Sequence, residues 1–172
     1  MKKILLLACC ALLGACADNP TEVNLVPQGI ARAPRALNMS LKSIAVATAN
    51  PSIVLDPVVS QQWHDGIQSA AEQAQIFNPG GAHSVNLVAT VKRFAYSSDP
   101  FANKMEVETS YDLVDSGSGD RLLQASISSS SSDDSGTNDR NHMVALWNSA
   151  TQENITRFIA VLRDKAAQGS PP

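Results

Sequence analysis

Few residue types in this 172-residue chain could carry covalent or acid–base chemistry, and their spacing decides what they can do. All three cysteines, Cys9, Cys10 and Cys16, fall within eight positions near the start, so no later thiol is available as a nucleophile, a metal ligand or a disulfide partner. The three histidines, His64, His83 and His142, are far apart in sequence and read as solvated or capping side chains. A serine hydrolase needs its nucleophile on a strained turn beside a base; the nearest fragment, Gly117-Ser118-Gly119, reads as a hairpin loop instead. Glu106 and Glu108, two apart on a strand, share one face and could suit acid–base work. Their regular alternation with apolar neighbours marks a solvated sheet face. Gly80-Gly81 follows a helix and lacks the Lys-Ser/Thr of a phosphate loop. Asp133, Asp134, Asn138 and Asp139 are rich in oxygen, but their spacing does not fit a calcium loop. No catalytic residue, cofactor or metal is therefore expected.

The first residues explain the cysteines. Met1-Lys2-Lys3, an apolar run from Ile4 to Leu13 and the small pair Gly14-Ala15 form the three regions of a secretory signal. The run falls short of the roughly 20 residues that a membrane-spanning helix needs. Leu13-Gly14-Ala15-Cys16 resembles the lipobox of bacterial lipoproteins. That resemblance implies cleavage between Ala15 and Cys16, a diacylglycerol on the Cys16 sulfur and acylation of the new amino terminus. Cys9 and Cys10 would leave with the signal. Lipidation removes an otherwise unpaired thiol, and each buried methylene adds about 0.8 kcal/mol of membrane affinity.

The elements that must position everything else follow from periodicity. Residues 16–40 carry Pro20, Pro27 and Pro34 without sustained pattern and are expected to form an extended tether. Val23, Leu25, Val26 and Ile30 offer the alternative of lying against the domain. Ser43 to Ala49 reads as a short strand. Val59, Trp63, Ile67, Ala70, Ala71, Ala74 and Phe77 recur at spacings of three and four, an amphipathic helix opened at Asp56-Pro57. Ser84 to Tyr96, Met105 to Leu113 and Arg121 to Ser129 alternate as half-buried strands. The serine run after Ser126 is expected to leave its strand for a flexible loop. Met143 to Ala167 places Leu146, Trp147, Ala150, Ile155, Phe158, Ile159, Leu162 and Ala166 on one helical stripe. Both tryptophans are expected in the core.

The order β-α-β-β-β-α predicts an α+β two-layer sandwich: a four-stranded mixed sheet with both helices on one face. Its domain spans 41–168, after the signal (1–15) and tether (16–40) and before a short tail (169–172). With 44% apolar residues the chain can bury a core, so global disorder is excluded. Removing Lys2 and Lys3 makes the formal charge more negative than the whole chain's −3, which disfavours nucleic acid and anionic lipid.

With its lipobox, Pro-containing tether and small domain, the chain resembles compact outer-membrane lipoproteins of Gram-negative bacteria, LptE, PqiC and YajG among them. The stretch from Tyr111 to Gly117 and the helix from Asn154 to Leu162 further resemble a group of proteobacterial lipoproteins. Ala17 after Cys16, rather than an aspartate, resembles the sorting context for the outer membrane. These resemblances imply a lipid-anchored protein facing the periplasm that binds an envelope protein or glycolipid. The open sheet face, with Lys92, Glu106, Glu108 and Asp112 beside Asn86, Thr90 and Ser110, is the candidate contact surface. An envelope hydrolase built around His64 or His83 is the alternative.

Overall fold

A computed structural model describes residues 22–98, 102–134 and 139–168. The signal, Cys16 and the C-terminal tail lie outside them. Four strands, β1 (Met39–Thr48), β2 (His83–Ser98), β3 (Asn103–Asp115) and β4 (Arg121–Asp133), form one sheet in the order β1-β2-β3-β4. β1 and β2 are parallel, and the other two pairs are antiparallel. Helix α1 (Pro57–Ala74) crosses over between β1 and β2, and α2 (Arg140–Gln168) follows β4. Both helices cover one face, giving the α+β sandwich expected from the sequence.

Local chemistry accounts for the element ends. Asp56 accepts a hydrogen bond from the Val58 N–H at 2.7 Å and Pro57 occupies the first turn of α1, where its missing N–H costs nothing. Asp139 accepts from the His142 N–H at 2.9 Å and opens α2. Those backbone bonds, with the His142 ring beside them, hold the Asp139 carboxyl below the ordinary carboxylate range. Gly81 admits the Met39 backbone, which a Cβ there would meet at 2.5 Å.

The core is mainly apolar, with Asn103, Thr109, Ser129, Thr151 and Asn154 as polar residues buried in it. Trp63, Phe94 and Trp147 form a chain of tilted rings, their centroids 5.9 and 5.4 Å apart, that ties α1, β2 and α2 together. Tyr111 stacks on Phe158 at 4.0 Å and donates its hydroxyl to Asn154 Oδ1 at 2.8 Å. The Asn154 amide donates in turn to the Ile127 carbonyl and to Ser129 Oγ. Ser129 Oγ in turn donates to the Ala150 carbonyl at 2.8 Å. Burial raises the Tyr111 phenol well above its ordinary pKa, so it remains a donor.

Two expectations are corrected. The serine run does not leave the sheet: β4 continues through Ser126–Ser132 to Asp133, with Ser129 facing inward into the polar network. Nor is the segment before β1 an extended tether over its described part. From residue 22 to β1 it lies along the helices as a strap, the alternative that Val23, Leu25 and Ile30 offered. Leu25 is 1% exposed, and Val23, Ile30 and Ala33 pack on the core. The strap is pinned by Asn148 and Gln152 of α2, then by Gln73, and finally by bonds from Ala33 to Ala74 and from Leu37 to Ile76.

In a urea titration, replacing Asn154 with alanine should cost about 2–3 kcal/mol, because it takes the partner from the Tyr111 hydroxyl and removes the bonds to the Ile127 carbonyl and to Ser129 Oγ. Tyr111→Phe, which strands only Asn154 Oδ1, should cost about 1–2 kcal/mol in the same urea titration. Gly66→Ala tests the strap, since a Cβ there would come within 2.5 Å of the Leu25 carbonyl oxygen. It should destabilise by about 1–3 kcal/mol, with faster amide exchange at residues 23–33. A segment lying free of the helices would leave both readouts unchanged.

Candidate functional site

The sheet's uncovered face carries the residues expected there. Asn86, Thr90, Lys92, Glu106, Glu108, Ser110 and Asp112 lie opposite the helices and meet Gln124, Ser126, Ser128 and Ser130 of β4 across the ladder. Lys92 reaches this face by alternation from Thr90, and its Nζ donates to Ser126 Oγ at 3.4 Å, while a register shift between Val91 and Arg93 sets Arg93 opposite Glu108 on the same face. Glu106 is held by Lys104 at 2.6 Å and by Arg93. The Lys104 hydrogen bond and the two cations keep its carboxyl below the usual range. Asp112 pairs with Arg121 at 2.9 Å. The charges on this face are thus largely paired with one another, and its β4 side is lined with serine hydroxyls.

A second feature was not read from the sequence. The outer edge of β1 and the C-terminal half of α1 enclose an open groove of about 800 Å³. Leu41, Ile44 and Ala71 supply apolar wall, Phe77 and Pro79 close one end, and Lys42, His64 and Glu72 stand along it. β1 is an edge strand. Among the described residues, none bonds to the outward backbone groups of Ser43–Thr48. Lys42 sits at a register shift between Leu41 and Ser43, the combination of charge and bulge that guards edges against unspecific pairing. Beyond it the strand is regular.

The other edge differs. Arg157 of α2, oriented by Glu153 at 2.7 Å, donates to the Ser128 carbonyl at 2.8 Å, next to the Ile127 carbonyl that Asn154 occupies. Successive carbonyls on a strand point to opposite sides, so α2 satisfies part of the outer edge of β4. Among the described residues the sheet therefore has one partly laced edge, at β4, and one free edge, at β1.

The histidines do not assemble a catalytic constellation. His64 Nδ1 lies 3.0 Å from Asp65 Oδ1 at the groove wall, but the groove's serines are engaged elsewhere. Ser43 Oγ donates to Asn86 Oδ1 and Ser40 Oγ to the His83 carbonyl. His83 lies across the sheet's far end, 3.6 Å from Asp115, and His142 sits with Asp139 and Asp133. Among the described residues no group of three or more His, Cys, Asp or Glu could hold a metal, and no helix is long and apolar enough to cross a membrane.

No protein-family model and no curated protein matches the sequence. The fold, by contrast, has solved counterparts. The chain is similar to a Xanthomonas campestris protein of family DUF330, with a TM-score of 0.59 at 13% identity, covering 87% of this chain and 98% of that one. It is similar to a candidate lipoprotein of Caulobacter crescentus, with a TM-score of 0.51 at 13% identity over 78% and 94% of the two chains. A PelC variant from Paraburkholderia phytofirmans, a dodecamer, aligns at a TM-score of 0.52 and 10% identity over 76% and 93%. At such identities the likeness is one of fold, and the fold is one that proteins of proteobacteria use.

Proposed function

We propose that the mature chain is a lipid-anchored, non-enzymatic binding component of a Gram-negative cell envelope, which holds an extended segment of a partner protein along β1. The free edge of β1 beside its groove carries this reading. An added strand would pair with the outward backbone groups of Ser43–Thr48, and its side chains beside Ser43 and Ile44 would enter the groove, the arrangement of strand-addition recognition. The open face with Lys92, Glu106, Glu108 and Asp112 is the wider surface on which the same partner can rest.

The lipobox-like sequence supports the anchor, and the candidate lipoprotein of Caulobacter crescentus supplies a counterpart of the same fold. Ala17 favours the outer membrane, facing the periplasm. The resemblance to LptE, PqiC and YajG belongs to this reading as an expectation of location and architecture, and no partner is carried over from it. The hydrolase alternative is disfavoured because Ser40 and Ser43 direct their hydroxyls away from His64.

The mass of the mature protein should correspond to a chain beginning at an acylated Cys16, and Cys16→Ala should leave it in the soluble fraction. A free thiol at Cys16 sinks the anchor. For the site, a photo-crosslinking residue at Lys42, Ala45 or Ala47 in intact cells should give adducts of one mass, with weaker adducts from Glu106 and Glu108. Adducts from the sheet face alone would move the site to that face. Adducts with a second copy would make the edge a subunit contact, as an oligomer such as the PelC dodecamer invites. Lipid adducts would favour a glycolipid partner.

A further inference from the structure

The strand directions divide the sandwich into two ends. Thr48, Ser98, Asn103 and Asp133 lie at one end of the sheet, and both helices begin there, at Pro57 and Arg140. The opposite end holds the turns 75–82 and 116–120. The strap runs between these ends. Leu37 bonds to Ile76 at the far end, Pro27 lies at Gln73, and Leu25 lies at Gly66. Glu22 reaches Asn148, two turns into α2 and so about 12 Å from its start. The chain therefore points toward the end where the helices begin as it runs back to its amino terminus.

Only six chain steps separate Glu22 from Cys16. Fully extended they reach about 20 Å. An acylated Cys16 must hold this end of the domain, rather than the turns 75–82 and 116–120, close to the bilayer. The two large apolar side chains that stand most exposed among the described residues are at the same end: Val54 at 84% and Val58 at 63%, in the connection from β1 to α1. Ile53 and Leu55 on either side of Val54 pack on the core, so the loop is braced with Val54 outward. Asp56, Asp133, Asp134 and Asp139 outnumber Lys104 and Arg140 around this end, a balance that repels anionic head groups.

Given the lipid anchor proposed above, we infer that the β1–α1 connection is a second, non-covalent membrane contact, with Val54 and Val58 seated in the interface of a zwitterionic phospholipid surface. This contact fixes the orientation of the domain. The closed end of the groove, at Phe77–Pro79, then lies away from the bilayer, and the free edge of β1 stands roughly upright above it.

The test uses the full-length lipidated protein in phosphatidylcholine–phosphatidylethanolamine vesicles. With Cys16 acylated, Val54→Cys provides a single thiol for an environment-sensitive fluorophore, and Ser118→Cys in the turn at the opposite end provides the control. Lipid carrying a quencher high on its acyl chain should quench the label at position 54 strongly and the label at 118 little. Equal or absent quenching at the two positions, with a mass spectrum showing acylated Cys16, overturns the membrane contact and leaves the anchor standing. An unmodified Cys16 in that spectrum removes the anchor and the contact together, so the two failures are told apart. Val58→Asp in the Val54→Cys background should lower the quenching at 54 without changing acylation or the unfolding midpoint. Unchanged quenching in that variant would also overturn the contact.

Discussion

The buried side chain of Asn154 is the constraint on which the rest of this structure depends. An amide in an apolar layer is tolerable only when its donors and acceptor are filled. Here they are filled from three directions, by Tyr111 on β3, Ser129 on β4 and the Ile127 carbonyl. Apolar packing would permit α2 to slide along the sheet by a fraction of a turn at modest cost, whereas this network admits one register. Ser129 extends the lock by returning a bond to the helix backbone at Ala150. Because α2 is fixed, so are the positions of Trp147 against Phe94 and of Asn148 against the strap. The path of the amino-terminal segment is thus set from the core outward.

The strap in turn gives the molecule a direction. A segment carrying Pro27 and Pro34 is unsuited to a continuous helix or a central strand, but it can lie between two helices if it offers apolar side chains to the groove there. Leu25 does so at a point where Gly66 removes the obstacle of a Cβ. Its backbone is satisfied by side chains that would otherwise need only water, Gln73, Asn148 and Gln152. The same residues that read as a spacer in composition therefore act as a third covering element on the helix layer, and they leave little slack between the domain and Cys16.

Much of the architecture was legible because periodicity reports burial directly. The alternation in β3 and the stripe in α1 named the core residues and the element order, hence the two-layer sandwich and its open face. Asn154 was legible too, had the stripe been read strictly: Leu146, Ala150, Asn154, Phe158, Leu162 and Ala166 succeed one another at intervals of four, and one amide stands in an apolar row. The serine run misled because serine carries little strand signal of its own. β4 persists through it on backbone pairing with β3 and on one inward serine. The groove was not legible, since it exists only where β1 ends the sheet and α1 stands off from it. Strand order, not residue type, creates a free edge.

The two edges of the sheet show how that difference bears on binding. Both begin as rows of unpaired backbone groups, and either could accept another strand. At β4 the helix that follows the strand closes back over it, and Asn154 and Arg157 donate to adjacent carbonyls. One of these two carbonyls faces outward, so an incoming strand would have to displace the bond already formed there. At β1 the helix that follows covers the face of the sheet but, among the described residues, makes no hydrogen bond to the outward backbone groups of Ser43–Thr48, and it leaves a groove with apolar wall beside Ser40–Ile44. On the proposed reading, addition at β1 would gain backbone bonds without losing any formed by the described residues, which favours this edge over β4. Lys42 and its register shift would then limit how far along that edge a proposed partner strand could pair, to about the length of Ser43–Thr48, with its end at Ser43–Ile44 beside the groove.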